Sequence, residues 1–118
     1  MAEALLEFAR VGSFDSYSVS IYADEGPIPH FYFYNREKEV EGCIRLDKAE
    51  YFDHNRYNAR LNSKEKKNLN IWLKSNHTPF QAFDINLTVY NYMIILWQDN
   101  NKDYPMKPQP MPDYTKLK

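Results

Sequence analysis

Tyr17-Ser18-Val19-Ser20-Ile21-Tyr22-Ala23 alternates along its length. Tyr17, Val19 and Ile21 fall on one side and Ser18, Ser20 and Tyr22 on the other, the period of a half-buried strand. Asp24-Glu25-Gly26-Pro27-Ile28-Pro29 breaks the pattern, because its two prolines donate nothing to a ladder. A second alternating run follows, with Phe31 and Phe33 facing one way and His30, Tyr32 and Tyr34 the other. After the polar turn Asn35-Arg36-Glu37-Lys38, residues 39–46 alternate again. Val40, Gly42, Ile44 and Leu46 share one side, and Glu39, Glu41, Cys43 and Arg45 the opposite one. Connections this short predict antiparallel hairpins, since a parallel pair needs a long crossover.

Working outward, residues 4–11 read as a further strand, ended by a turn at Gly12-Ser13-Phe14-Asp15-Ser16. Lys48-Ala49-Glu50-Tyr51-Phe52 reads as a short helical turn, and 54–62 as a polar surface loop. Leu69, Trp72 and Leu73 stand at i, i+3, i+4, which predicts a helix over 64–75 with Ser63 as its N-cap and a stop at Thr78-Pro79. Ile85, Val89, Tyr92, Met93 and Leu96 form a second helical stripe, capped by Asp84 or Asn86 and running to about Asp99. Pro105, Pro108, Pro110 and Pro112 bar regular ladders beyond Tyr104. The expected fold is therefore α+β: an antiparallel meander of about four strands with two helices on one face. It forms one domain over residues 1–103, followed by a Pro-rich extended or flexible tail over 104–118.

At 118 residues the chain has room for one domain. Apolar residues make up 43 % and aromatic residues 16 %, which excludes disorder over most of its length. One Cys excludes an internal disulfide framework and a Cys-rich zinc site. The longest apolar run, Met93-Ile94-Ile95-Leu96-Trp97, is too short to cross a bilayer, and no charged-then-apolar leader opens the chain. A cytoplasmic protein without a membrane partner is the expectation. The net charge of −1 gives no overall pull toward nucleic acid.

Three stretches carry a resemblance. Pro29-His30-Phe31-Tyr32 sits on a strand after a short loop; Leu61-Asn62-Ser63-Lys64-Glu65 opens a helix that holds Trp72-Leu73-Lys74; Leu96-Trp97 and Asn100 follow. This order resembles a family of small uncharacterised prokaryotic proteins with a Pro-Pro-His-Phe-His motif, a domain of unknown function often linked to toxin–antitoxin or mobile-element gene pairs. Here Ile28 replaces the first proline, and Tyr32 stands where that motif has its second histidine. Pro29, His30 and Phe31 are the motif positions retained. The resemblance implies a small component of a two-gene or phage-like system.

Imidazoles bind zinc or exchange protons near neutral pH. His30, His54 and His77 lie 24 and 23 residues apart, with no local metal-ligand spacing, so neither a metal site nor a cofactor is expected. Cys43 lacks a sequence-local base and reads as inert. No phosphate-cradling glycine loop and no Gly-x-Ser-x-Gly elbow is present.

Nineteen Phe, Tyr and Trp exceed what one small core needs, and Tyr and Trp are common interface anchors. The favoured expectation is a non-enzymatic binding protein acting by stoichiometric association with a protein partner. It would work as a homodimer or hetero-complex, as an inhibitor or neutraliser in a toxin–antitoxin-like or phage setting, through Tyr32, Tyr34, Tyr90 and Trp97. The first alternative is an RNA or single-stranded DNA binder using Arg56, Arg60, Lys64, Lys66 and Lys67, with bases stacked on the sheet tyrosines. The second is a small nuclease-type enzyme using His30 with a carboxylate.

Overall fold

The structure, a computed structural model, describes residues 8–77 and 87–118. Four strands form one antiparallel sheet in the order β1-β2-β3-β4: β1 (Phe8–Phe14), β2 (Tyr17–Tyr22), β3 (His30–Asn35) and β4 (Val40–Arg45). Two helices follow, α1 (Ser63–Lys74) and α2 (Val89–Asn100), and the chain ends in a 3-10 turn, Tyr114–Lys116. This is the expected α+β meander. The start of the first expected strand, the Thr78-Pro79 stop, and Asp84, Ile85 and Asn86 lie outside the described residues.

The alternation of β2 appears directly in burial. Tyr17, Val19 and Ile21 are buried, whereas Ser18, Ser20 and Tyr22 are half-buried. Pairing carries that alternation across the sheet, so Gly12, Val19, Phe33 and Gly42 align on the inner side. A Cβ on Gly42 would sit 2.1 Å from Phe33 Cζ, so the ring of Phe33 occupies the space that Gly42 leaves. Gly12 does not end the strand as expected. It sits at a bulge where the register shifts between Arg10 and Gly12, and the turn begins only at Asp15. A Cβ there would come 2.9 Å from Trp72, whose ring stacks on Phe14 with centroids 5.8 Å apart.

α2 packs on β1 and β2 and α1 on β1, where Leu69, Leu73, Val89 and Met93 join Val19, Ile21, Phe31, Phe33, Ile44 and Leu46 in one core. Val40, which shares its side of β4 with Gly42 and Ile44, is exposed at the sheet's end, and Trp72 and Leu96 are only partly buried against the core. The N-cap of α1 is Asn62 rather than Ser63. Its side chain accepts from Glu65 N at 2.8 Å, while Glu65 Oε1 accepts from Asn62 N at 2.9 Å. Asn62→Ala is expected to cost about 1 kcal/mol in urea unfolding. Thr88 caps α2, accepting from Asn91 N at 3.1 Å.

Residues 105–113 join no ladder, and residues 104–118 lie on the domain rather than beyond it. Met106, Tyr114 and Leu117 belong to the core. Tyr114 meets Phe31 edge-on, its hydroxyl donates to Arg45 O at 2.7 Å, and Asn70 Oδ1 accepts from its N–H at 2.9 Å. Gln109 Nε2 donates to Asp47 O and Lys66 Nζ to Leu117 O. The stretch 48–52 bends without forming a helical turn. Instead Arg45 N donates to Glu50 O, Phe52 N to Cys43 O and Ala59 N to Glu41 O, closing the outer edge of β4. Among the described residues no helix is long and apolar enough to cross a membrane.

Candidate functional site

The outer face of the sheet, turned away from α1 and α2, has two unlike halves. Over β3 and β4 it is covered by residues 51–59. Phe52, His54 and Tyr57 come down on His30 and Tyr32, with ring centroids 4.8 to 6.0 Å apart. The 54–62 stretch is the surface loop its polarity suggested, with residues 55, 56, 58, 60 and 62 exposed, but through His54 and Tyr57 it is also a lid on the sheet. Cys43 lies under this cover, fully buried, and burial pushes its thiol well above the ordinary range. Both effects disfavour the thiolate, the form that reacts.

Four polar side chains meet beneath the cover. Tyr32 donates its hydroxyl hydrogen to Glu25 Oε1. That hydroxyl also lies 3.0 Å from His54 Nε2 and 3.3 Å from His30 Nε2, and His30 Nε2 stands 3.4 Å from Glu25 Oε1. Each Nδ1 faces a backbone carbonyl, His30 on Ile28 O at 2.6 Å and His54 on Phe52 O at 2.9 Å. Those carbonyls accept from Nδ1–H and turn both Nε2 atoms toward the hydroxyl. Glu25 is placed by the end of α2, where Asn101 Oδ1 accepts from Glu25 N at 2.6 Å. The fold therefore joins two histidines that sequence spacing kept apart. Among the described residues no group of three or more His, Cys, Asp or Glu is placed to hold a metal ion.

Burial holds the His30 pKa below its ordinary value, against the opposing pull of Ile28 O and Glu25. A depressed histidine pKa means that the unfolded chain takes up the proton more readily, so stability falls with pH below about 6.5. The urea midpoint is expected to drop between neutral pH and pH 5, and less steeply in His30→Gln. A flat profile in the parent protein would contradict this.

The other half of the outer face, over β1 and β2, carries no such cover among the described residues. Ser13 pairs with Ser18, Ser18 with Tyr34, Arg10 with Ser20 and Ser20 with Tyr32. Ser13 and Arg10 are exposed, and Ser18, Ser20, Tyr22 and Tyr34 half-buried. The result is a hydroxyl-rich floor with a tyrosine at either side.

The expected partner residues divide accordingly. Tyr34 lies on the open half, and Tyr32 is 6 % exposed at its boundary, its ring 4.8 Å from Tyr22. Tyr90 and Trp97 are interior. The Tyr90 hydroxyl donates to Leu46 O at 2.6 Å and Trp97 Nε1 to Tyr104 O at 2.8 Å, so neither faces a partner. The side of α2 that carries them is apolar because it meets the core and residues 104–106. Of the basic stretch, Arg56 is paired with Glu41 at 2.8 Å and Arg60 with Asp53 at 2.6 Å. Lys64, Lys66 and Lys67 flank a separate groove with Ser63 and Thr115. Pro29 O accepts from Leu46 N at 3.0 Å, which ties the motif to β4, and Phe31 is core.

No protein-family model, no curated protein and no solved structure matches the chain.

Proposed function

We propose that the chain is a small binding protein that associates stoichiometrically with a protein partner on the open half of its outer sheet face. One observation carries this reading: residues 51–59 cover β3 and β4, while the adjoining β1 and β2 carry small serines flanked by Tyr34 and Arg10. Serines let a partner approach closely, and Tyr and Arg are the side chains most often found as binding anchors. In the setting that the family resemblance implies, the partner is encoded beside this chain and association neutralises it in the cytoplasm. A photo-crosslinking residue replacing Tyr34 is expected to give one discrete adduct in the native cell, and the same residue replacing exposed Ile71 on α1 none. Adducts from both positions, or from neither, would remove the reading.

A second reading is favoured by the Glu25–Tyr32–His54–His30 cluster, which has the groups of a proton-transfer centre for a small nuclease-type enzyme. It requires His54→Ala to abolish RNA cleavage while leaving the unfolding midpoint in place. Absence of cleavage by the parent protein disposes of it.

A further inference from the structure

The five arginines divide by partner. Arg45 is bound by Asp47, Arg56 by Glu41 and Arg60 by Asp53. Among the described residues Arg10 and Arg36 have no carboxylate partner, and both line the same open groove with Ser13, Ser16, Ser18 and Tyr34. Register places Arg10 in the row of Ser20 and Tyr32, and Arg36 just past the end of β3, on either side of one further row. Ser13, Ser18 and Tyr34 stand directly across from one another on β1, β2 and β3. Arg10 precedes Ser13 by three residues on β1, and Arg36 follows Asn35 at the end of β3. Asp15, which also lines the groove, is engaged by Asn68 Nδ2 at 3.0 Å from each carboxylate oxygen. Among the described residues, the side chains of Arg10, Arg36, Ser13, Ser16, Ser18 and Tyr34 that line the groove have no side-chain partner of their own, so beside the single Asp15 carboxylate donors are in surplus.

We propose that this groove binds one oxyanion group, phosphoryl or carboxylate, presented by the protein that docks on the open half. The inference rests on the proposed function and names the chemistry that its partner presents. Guanidinium forks bind such groups in two-pronged fashion, and the hydroxyls donate to the remaining lone pairs. A single group suits the site better than a nucleic-acid strand. A strand gains affinity from several phosphate contacts, and the neighbouring Arg56 is already neutralised by Glu41.

The test is amide NMR titration of the full chain with inorganic phosphate and, separately, with a short poly-glutamate peptide. Saturable shifts confined to residues 10–18 and 34–36 are expected, with affinity weakened about tenfold by Arg10→Gln and again by Arg36→Gln, and unchanged by Lys64→Gln. Tighter binding of phosphate than of peptide assigns a phosphoryl group, and the reverse a carboxylate. Non-saturable shifts, shifts centred on Lys64 and Lys67, or binding that survives the double arginine variant would overturn the proposal. So would preferential, steeply salt-dependent binding of a single-stranded oligonucleotide. Phosphate binding without a crosslink from position 34 leaves the groove standing and removes the docking reading. A crosslink undiminished in the double arginine variant does the opposite.

Discussion

Trp97→Ala is expected to destabilise the protein by about 3–5 kcal/mol in urea unfolding, a large share of the stability of a domain this small. The indole is fully buried, packs 5.3 Å from the His30 ring and donates to Tyr104 O. Its removal leaves a cavity between α2 and residues 104–106, and a carbonyl without its donor. An interface anchor would behave differently, since truncating it would weaken association and leave the isolated chain as stable as before. A loss below about 1 kcal/mol would contradict the interior placement of α2.

Tyr114→Ala is expected to cost a similar amount, about 3–5 kcal/mol. Residues 104–118 cover the inner side of the sheet where α1 and α2 do not reach, and Tyr114 is fully buried there against Phe31. Its hydroxyl donates to Arg45 O and approaches Leu46 O at 3.2 Å, joining the chain's end to that of β4. Tyr114→Phe keeps the ring and separates the two contributions, with about 1 kcal/mol expected for the lost hydrogen bonding. If Tyr114→Ala unfolds at the parent's urea concentration, residues 104–118 are a dispensable tail.

The sheet was legible because 17–46 keeps a strict period of two between strong breakers, and α1 because Leu69, Trp72 and Leu73 keep a helical spacing. The cover over β3 and β4 was not. Phe52, His54 and Tyr57 follow no regular period, since their positions come from separate backbone bonds, of Phe52 to Cys43, of Ala59 to Glu41 and between His54 and Tyr57. The tail misled for a related reason. Its prolines forbid ladders, as read, but they say nothing of whether Met106, Tyr114 and Leu117 find a surface. Glu25, His30, Tyr32 and His54 belong to a loop, a strand and a second loop, and only tertiary structure unites them. Arg10 and Arg36 carry no signal in one dimension. Pairing of β1 with β2 and of β2 with β3 brings them to one groove, and having no carboxylate partner among the described residues sets them apart from Arg45, Arg56 and Arg60.

Thiol labelling tests most directly whether one half of the outer face is bare and the other covered. Native Cys43, buried beneath residues 51–59, is expected to resist a water-soluble thiol reagent until the protein unfolds. Ser13→Cys, on the open half, is expected to react at the rate of a free thiol and to slow when the crosslinked partner is added back. Rapid reaction of Cys43 in the folded protein, or a position 13 thiol that is protected in the isolated chain, would contradict that division and with it the docking face.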